Sequence, residues 1–180
     1  MKDFLESLSA AKLSLDVESA EQLEECAQLL APMLRGGDFV GLVGDLGAGK
    51  TTWCRGLGVG LNATTPLRSP SYLLMHEVEA DIPILHIDAY FEHRLDSLLA
   101  DGDCERFTED VLLLVEWANH VSHWWPKNGL YLGLEHNSEG TRTLSVHGIG
   151  ERGAELADNY SESLKTLIYF EPSSDSGRCP

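Results

Sequence analysis

The sequence predicts an α/β fold in three layers, with a central mixed β-sheet and a C-terminal β-hairpin. Three observations predict it. Short apolar runs alternate with helix-like segments through the first two thirds of the chain. Gly44-Asp45-Leu46-Gly47-Ala48-Gly49-Lys50-Thr51 matches G-x-x-x-x-G-K-[ST] and lies between an apolar strand and a helix, as the phosphate-binding loop does in P-loop NTPases. Late in the chain, two alternating segments flank Ser138-Glu139-Gly140, which reads as a hairpin.

The elements follow in order. Residues 12–17 alternate polar and apolar and read as a short strand. Residues 19–34 read as an amphipathic helix. Ser19 is its cap, Gln22 sits three residues on as in a capping box, and Leu23, Ala27, Leu30 and Leu34 recur at helical spacing. Pro32 is a flaw near its end, and Gly36-Gly37 breaks the chain. Residues 39–43 form a short buried strand ahead of the glycine-rich loop, and residues 51–58 a glycine-weakened helix after it. Residues 72–79 and 82–87 read as two further strands, and residues 96–108 as partly helical. Residues 111–115, Val-Leu-Leu-Leu-Val, form the most apolar run and suit a strand buried on both faces. A short helix over 119–125 is stopped by Pro126; strands over 130–135 and 141–147 form the hairpin; a helix over 153–170 closes the fold.

Length and composition bound the rest. The chain has 180 residues, of which 43% are hydrophobic, enough for one domain with a real core. Residues 1–170 are expected to form that domain and residues 171–180 a loose Ser/Pro/Gly-rich tail. The net charge of −16 repels a phosphate backbone, so direct, sequence-independent nucleic-acid binding by this chain alone is not expected. Cys26, Cys54, Cys104 and Cys179 form no C-x-x-C pair and no zinc spacing, as expected of reduced thiols. The first ten residues lack the apolar stretch of a signal peptide, and no run reaches the length of a membrane span. A soluble, cytoplasmic protein is the expectation.

The loop carries the chemistry. Its glycines let the backbone turn tightly and aim N–H groups inward, and the helix that begins there adds its positive end. Asp45, Leu46, Gly47, Ala48, Gly49, Lys50, Thr51 and Thr52 are the expected phosphate-binding residues. Lys50 can reach the β- and γ-phosphates as a point charge, and the Thr51 hydroxyl can ligate Mg²⁺. The side chain of Asp45 is read as facing solvent or capping the loop rather than as a catalytic acid. ATP and Mg²⁺ are the expected ligands.

Mg²⁺ in such sites usually meets an acidic residue at the end of a neighbouring apolar strand. Glu116 closes the run 111–115 and is the candidate, acting directly or through water, and is also a candidate catalytic group that helps orient the attacking water. Asp88 ends another strand in His86-Ile87-Asp88-Ala89-Tyr90, where alternation puts His86, Asp88 and Tyr90 on one side. From the pattern alone Asp88 is either a metal-side or water-orienting carboxylate, or a satisfied strand-end charge. His86 by itself reads as structural, and Trp117 is placed at the rim of the site.

Taken in series, four stretches resemble the TsaE family, also called YjeE: Gly-Asp-Leu-Gly-Ala-Gly-Lys-Thr-Thr at 44–52, Ser69-Pro70-Ser71-Tyr72, the His-x-Asp-x-Tyr of 86–90, and Leu114-Val115-Glu116-Trp117. The resemblance spans roughly residues 13–146. It implies that Lys50 and the loop amides bind the triphosphate and that Thr51 and Glu116 hold Mg²⁺. It also implies that Ser71 stands for the family's switch-like threonine near the γ-phosphate, and that Asp88 is a catalytic carboxylate. It further implies a slow ATPase acting in threonylcarbamoylation of adenosine 37 of tRNA, with TsaD-like and TsaB-like partners and with tRNA only indirectly. Phe91 stands where the family usually has arginine, with Arg94 three residues later, and Ala118 replaces a common proline.

Two other functions share the loop. A small-molecule or nucleoside kinase needs an acceptor pocket and usually an arginine-rich lid, and only 13 Lys plus Arg occur, with no such cluster. A GTP-driven switch needs an N-K-x-D guanine reader, which is missing from the sequence. No arginine is plainly placed as a finger; Arg55 and Arg68 are the exceptions to test.

Overall fold

A computed structural model describes residues 4, 5, 8, 10–70, 73–137 and 141–169. Among these, seven strands form one mixed sheet: β1 (Leu13–Val17), β2 (Phe39–Gly44), β3 (Met75–Val78), β4 (Ile84–Asp88), β5 (Leu112–Glu116), β6 (Gly129–His136) and β7 (Arg142–Ile149). The strand order is β1-β7-β6-β2-β5-β4-β3. The central four, β6-β2-β5-β4, run parallel, while β1 on β7, β7 on β6 and β3 on β4 pair antiparallel. The expected mixed sheet with a late hairpin is therefore present; the turn expected at 138–140 lies outside the described residues.

Among the described residues, four bounded α-helices are α1 (Ala20–Leu30), α2 (Lys50–Gly60), α3 (Glu92–Ala100) and α4 (Gly150–Tyr169), and residues 4, 5 and 8 are also helical. Pleating divides the core in two. Val40, Leu42, Ile84, Leu112 and Leu114 point to one face and pack with Leu23, Leu30, Trp53, Leu57, Leu156 and Tyr160 of α1, α2 and α4. Phe39, Leu85, Ile87, Leu113 and Val115 point to the other face and pack with Leu95 and Leu99 of α3 and with Trp125 and Tyr131. Those faces make the three layers. None of the described helices is long and apolar enough to cross a membrane.

Several boundaries differ from the sequence pattern, each for a local reason. The Ser19 cap is present, with Ser19 Oγ accepting from the Gln22 amide at 3.1 Å. Gln22 reaches back to the Glu18 amide at 2.7 Å, one residue before the cap. The helix expected to reach Leu34 stops at Leu30 and tightens into a 3₁₀ turn, Ala31–Met33, because Pro32 has no amide to donate. Of the strand expected over 72–79, residue 72 lies outside the described residues; among the rest the strand is Met75–Val78, since Leu74 takes a left-handed φ of 65° just before it. The helical segment expected at 96–108 begins earlier, at Glu92. Gly102 at φ 117° then ends it, and a 3₁₀ turn Asp103–Arg106 follows. Residues 119–125 yield only the 3₁₀ turn Ser122–Trp124. The closing helix starts at Gly150, earlier than expected. Its first amides are capped from a distance: Asn128 Oδ1 accepts from Arg152 N at 2.9 Å and Gly153 N at 3.2 Å.

Buried polar groups tie these layers together. Tyr160 of α4 donates its hydroxyl to the Cys26 carbonyl of α1 at 2.9 Å and accepts from Trp53 Nε1 of α2 at 3.3 Å. All three residues are essentially fully buried. Tyr160→Phe removes the hydroxyl and strands the buried Trp53 Nε1–H, while the Cys26 carbonyl keeps its helical hydrogen bond. A loss of about 1–3 kcal/mol in unfolding free energy is expected, read as a lower urea midpoint with unchanged slope.

Candidate functional site

The site forms at the carboxyl ends of the parallel strands, the edge at which open α/β sheets bind ligands. Strands β4 and β5 end in register, Asp88 opposite Glu116, and Glu116 is also the register partner of Leu42 on β2. From there β2 runs into the glycine-rich loop, which turns through Gly47 at φ 80° and Gly49 at φ 107° before α2 begins at Lys50. Both glycines hold left-handed backbone that a side chain would strain.

Lys50 is 5% exposed and folds back over the loop. Its Nζ donates to the carbonyls of Gly44 at 2.7 Å and Asp45 at 2.9 Å, and lies 3.6 Å from the centre of the Trp117 ring. Burial lowers its pKa, opposed by the charges of Glu116, Asp88 and Asp45. Trp117 reaches it because the chain turns sharply after β5. Trp117 itself has φ 61°, and the Ala118 amide donates to Leu42 O at 3.0 Å. A non-glycine residue held there stores of order 1 kcal/mol of strain, consistent with the clustering of such residues at functional sites.

Glu116 is 2% exposed, with a donor at each oxygen. Thr51 Oγ1 donates to Oε2 at 2.7 Å, and His86 Nε2 lies 3.1 Å from Oε1. The Cys54 thiol, one turn along α2 from Lys50, is buried in the same cluster, and one ligand atom each of Cys54, His86 and Glu116 lies within 4.8 Å of the others. Burial, then the charges of Glu116 and Asp88, push the Cys54 thiol well above its usual pKa, so it is protonated and inert. Asp88 is 3% exposed; its Oδ1 accepts from the Tyr90 amide at 2.9 Å and its Oδ2 from the Ser69 hydroxyl.

These groups wall a cavity of about 480 Å³ lined by Leu46, Gly47, Gly49, Lys50, Thr51, Thr52, Ser69, Asp88, Tyr90, Phe91, Glu116 and Trp117. Its size suits a nucleotide-scale ligand. The structure thus brings together Leu46, Gly47, Gly49, Lys50, Thr51, Thr52, Asp88 and Glu116 of the residues singled out in the sequence. Asp45 and Ala48 belong to the loop but do not line the cavity: Asp45 is exposed, Ala48 is buried, and the Ala48 amide donates to Asp45 O at 3.2 Å. Ser71 lies outside the described residues. Arg94 does not line the cavity: it borders a surface recess with Leu74, His93 and Ser97, its guanidinium 5.8 Å from the centre of the Phe91 ring. Arg55 is paired with Glu24 of α1. Neither Arg55 nor Arg68 lines the cavity.

Sequence reasoning assigned no role to Ser69, Phe91 or the Glu116 contact of His86. Ser69 sat in plain view in Ser69-Pro70-Ser71-Tyr72, but only the fold shows that its hydroxyl faces Asp88. His86 carried a signal in its two-residue offset from Asp88, on the same face of β4.

A mixed sheet with four parallel central strands, helices on both faces and a glycine-rich loop at the strands' carboxyl ends defines a P-loop-like α/β architecture. The chain belongs to the TsaE family: residues 17–144 match the family described as "Threonylcarbamoyl adenosine biosynthesis protein TsaE". The tRNA threonylcarbamoyladenosine biosynthesis protein TsaE of Streptomyces coelicolor is 35% identical over 140 residues, covering 73% of this chain and 94% of that protein. The protein of the same name from Bacillus subtilis is 31% identical over 143 residues, covering 78% and 89%. The crystal structure of Bacillus subtilis YdiB matches with a TM-score of 0.72 at 27% identity, covering 86% of this chain and 98% of that one.

Proposed function

We propose that this chain is a Mg²⁺-dependent ATPase of tRNA threonylcarbamoyladenosine synthesis. It would hydrolyse ATP to ADP to drive or reset a partner transferase complex, which modifies adenosine 37 of tRNAs reading codons that begin with A. Family membership and the names of its relatives support the pathway. The contact between Thr51 and Glu116 carries the chemistry.

Thr51 Oγ1 and Glu116 Oε2 stand 2.7 Å apart on the cavity wall. Neighbouring oxygens in an octahedral Mg²⁺ shell at 2.0–2.1 Å are about 2.9 Å apart. The spacing of the pair therefore fits two groups that would hold Mg²⁺, Glu116 as a carboxylate and Thr51 as a neutral hydroxyl that keeps its proton. Charge argues the same way. Among the described residues, the cavity wall carries one cation, Lys50, and two carboxylates, Asp88 and Glu116, which disfavours a bare triphosphate. Held by Thr51 and Glu116, Mg²⁺ would supply neutralisation of the phosphate charge.

The residues of the chain do the rest. The loop amides and Lys50 would grip the triphosphate, Lys50 exchanging its carbonyl partners for phosphate oxygens. Asp88, held in orientation by the Tyr90 amide and the Ser69 hydroxyl, would accept a hydrogen bond from the attacking water. Trp117, Tyr90 and Phe91 form an aromatic rim, in which Tyr90 packs 5.1 Å from Trp117 and 5.2 Å from Phe91. Tyr90 and Phe91 are partly exposed, which suits closure by a partner protein. TsaD-like and TsaB-like proteins would be those partners and would supply the tRNA contacts that a chain of charge −16 does not.

Among the described residues, no arginine lines the cavity. Turnover by the chain alone is therefore expected at about 10⁻³ s⁻¹ or slower, rising when the partner pair is added. Steady-state ATPase assays with and without the pair check this. A rate indifferent to the partners would count against the proposed role, and absence of Mg·ATP binding in calorimetry would end it.

A further inference from the structure

The Glu116 carboxylate is buried, and a buried carboxylate serves as a defined ligand only if something fixes its rotation. One of its oxygens faces the cavity beside Thr51. The other faces away, to His86 Nε2 at 3.1 Å. His86 is fully buried on β4, in the layer between sheet and α2, and does not line the cavity. Its environment assigns the tautomer. A carboxylate without a proton can only accept, so Nε2 carries the hydrogen and donates it. Nδ1 is buried with no hydrogen-bond partner, which suits a bare lone pair better than a stranded N–H. The ring therefore has one polar task among the described residues, and that task is its bond to Glu116.

We propose that His86 is a positioning residue for Glu116. Its Nε2–H anchors Oε1, which turns Oε2 toward Thr51 Oγ1 and holds it there for the divalent cation. The inference rests on the reading of Glu116 as a Mg²⁺-holding group. Three features converge on it. His86 and Glu116 lie on neighbouring parallel strands whose register, His86 with Leu114 and Asp88 with Glu116, puts the imidazole behind the carboxylate. Cys54 closes the same pocket from α2 with a fully buried thiol, which leaves no exposed residue in the cluster. The Oε2 contact to Thr51 is short, as expected of an oriented carboxylate.

The test separates the donor from the ring. Calorimetry of ATP binding is run with Mg²⁺ across a concentration series and again with chelator, for the wild type and for His86→Leu, His86→Asn and His86→Gln. Glutamine places an amide N–H close to the position of Nε2, asparagine stops one bond short, and leucine has no donor. His86→Leu and His86→Asn are expected to need 10- to 100-fold more Mg²⁺ for half-saturation, the usual scale for losing a group that orients a ligand. Their affinity for ATP in chelator should stay within about 2-fold of wild type, because Lys50 and the loop amides are untouched. His86→Gln is expected to restore Mg²⁺ dependence to within about 3-fold of wild type. Should the leucine variant not fold, the asparagine and glutamine pair decides alone. A glutamine variant as impaired as asparagine would overturn the proposal, showing that ring volume and not the donor matters. Unchanged Mg²⁺ dependence in the leucine or asparagine variant would overturn it too. If the wild type bound ATP equally well with and without Mg²⁺, the reading of Glu116 would fall first, and this inference with it.

Discussion

Lys50→Ala is expected to weaken Mg·ATP binding by about 10²- to 10⁴-fold, the largest effect of any single change in this protein. Two charge-assisted hydrogen bonds to phosphate are each worth about 1.5–3 kcal/mol, and 1.4 kcal/mol is tenfold in affinity. Among the described residues lining the cavity, Lys50 is also the single cation, set against Asp88 and Glu116. Without it the site presents two carboxylates to a polyanion. The ammonium already makes the kind of contact it would make to phosphate, donating to the Gly44 and Asp45 carbonyls at 2.7 and 2.9 Å. Little reorganisation is needed to trade carbonyl for phosphate oxygen. Calorimetry on the folded variant, with circular dichroism to confirm the fold, checks this; wild-type affinity would remove Lys50 from the site.

Glu116→Ala is expected to reduce Mg²⁺-dependent ATP turnover by about 100-fold or more, the scale of losing one preorganised charge-stabilising group. The change has a sign that identifies its cause. With Mg²⁺ present, binding and turnover should both fall, because the Thr51 hydroxyl loses its neighbouring ligand. With chelator present, affinity for bare ATP should stay level or rise, because a negative charge has left the cavity wall. Glu116→Gln keeps the shape and the contacts to Thr51 and His86 but not the charge, and should behave like alanine in Mg²⁺ titrations while melting closer to wild type. Equal losses with and without Mg²⁺ would point to collapse of the site and not to a missing ligand.

Both predictions turn on residues that the sequence had already marked. The phosphate loop is legible because its chemistry is local. Gly47 and Gly49 must sit at positive φ, Lys50 and Thr51 must follow at once, and a strand and a helix must flank them, all within about a dozen consecutive residues. Glu116 and Asp88 were legible as charges ending apolar runs, since a carboxylate at the end of a buried strand stands out against Leu112–Val115 or Ile84–Ile87. Local signals failed where the deciding contact was remote. The start of α4 is capped by Asn128, more than twenty residues upstream, so no cap is visible beside Gly150. The helix expected at 119–125 had the right composition but leaves a strained turn at Trp117 and passes through Val121 at φ 42°, so it manages only three residues of 3₁₀ structure.

The sequence by itself determined the class of fold and marked the glycine-rich loop, its lysine and hydroxyl, and the two strand-end carboxylates that come to line one cavity, because each stands out by periodicity or against neighbours a few residues away. Only the tertiary structure decided that His86 stands behind Glu116, that Ser69 holds Asp88, and that Trp117 lies over Lys50. Those pairings depend on strand register and on a left-handed turn after β5, and both are set by how the whole sheet packs against its helices rather than by any short stretch of chain.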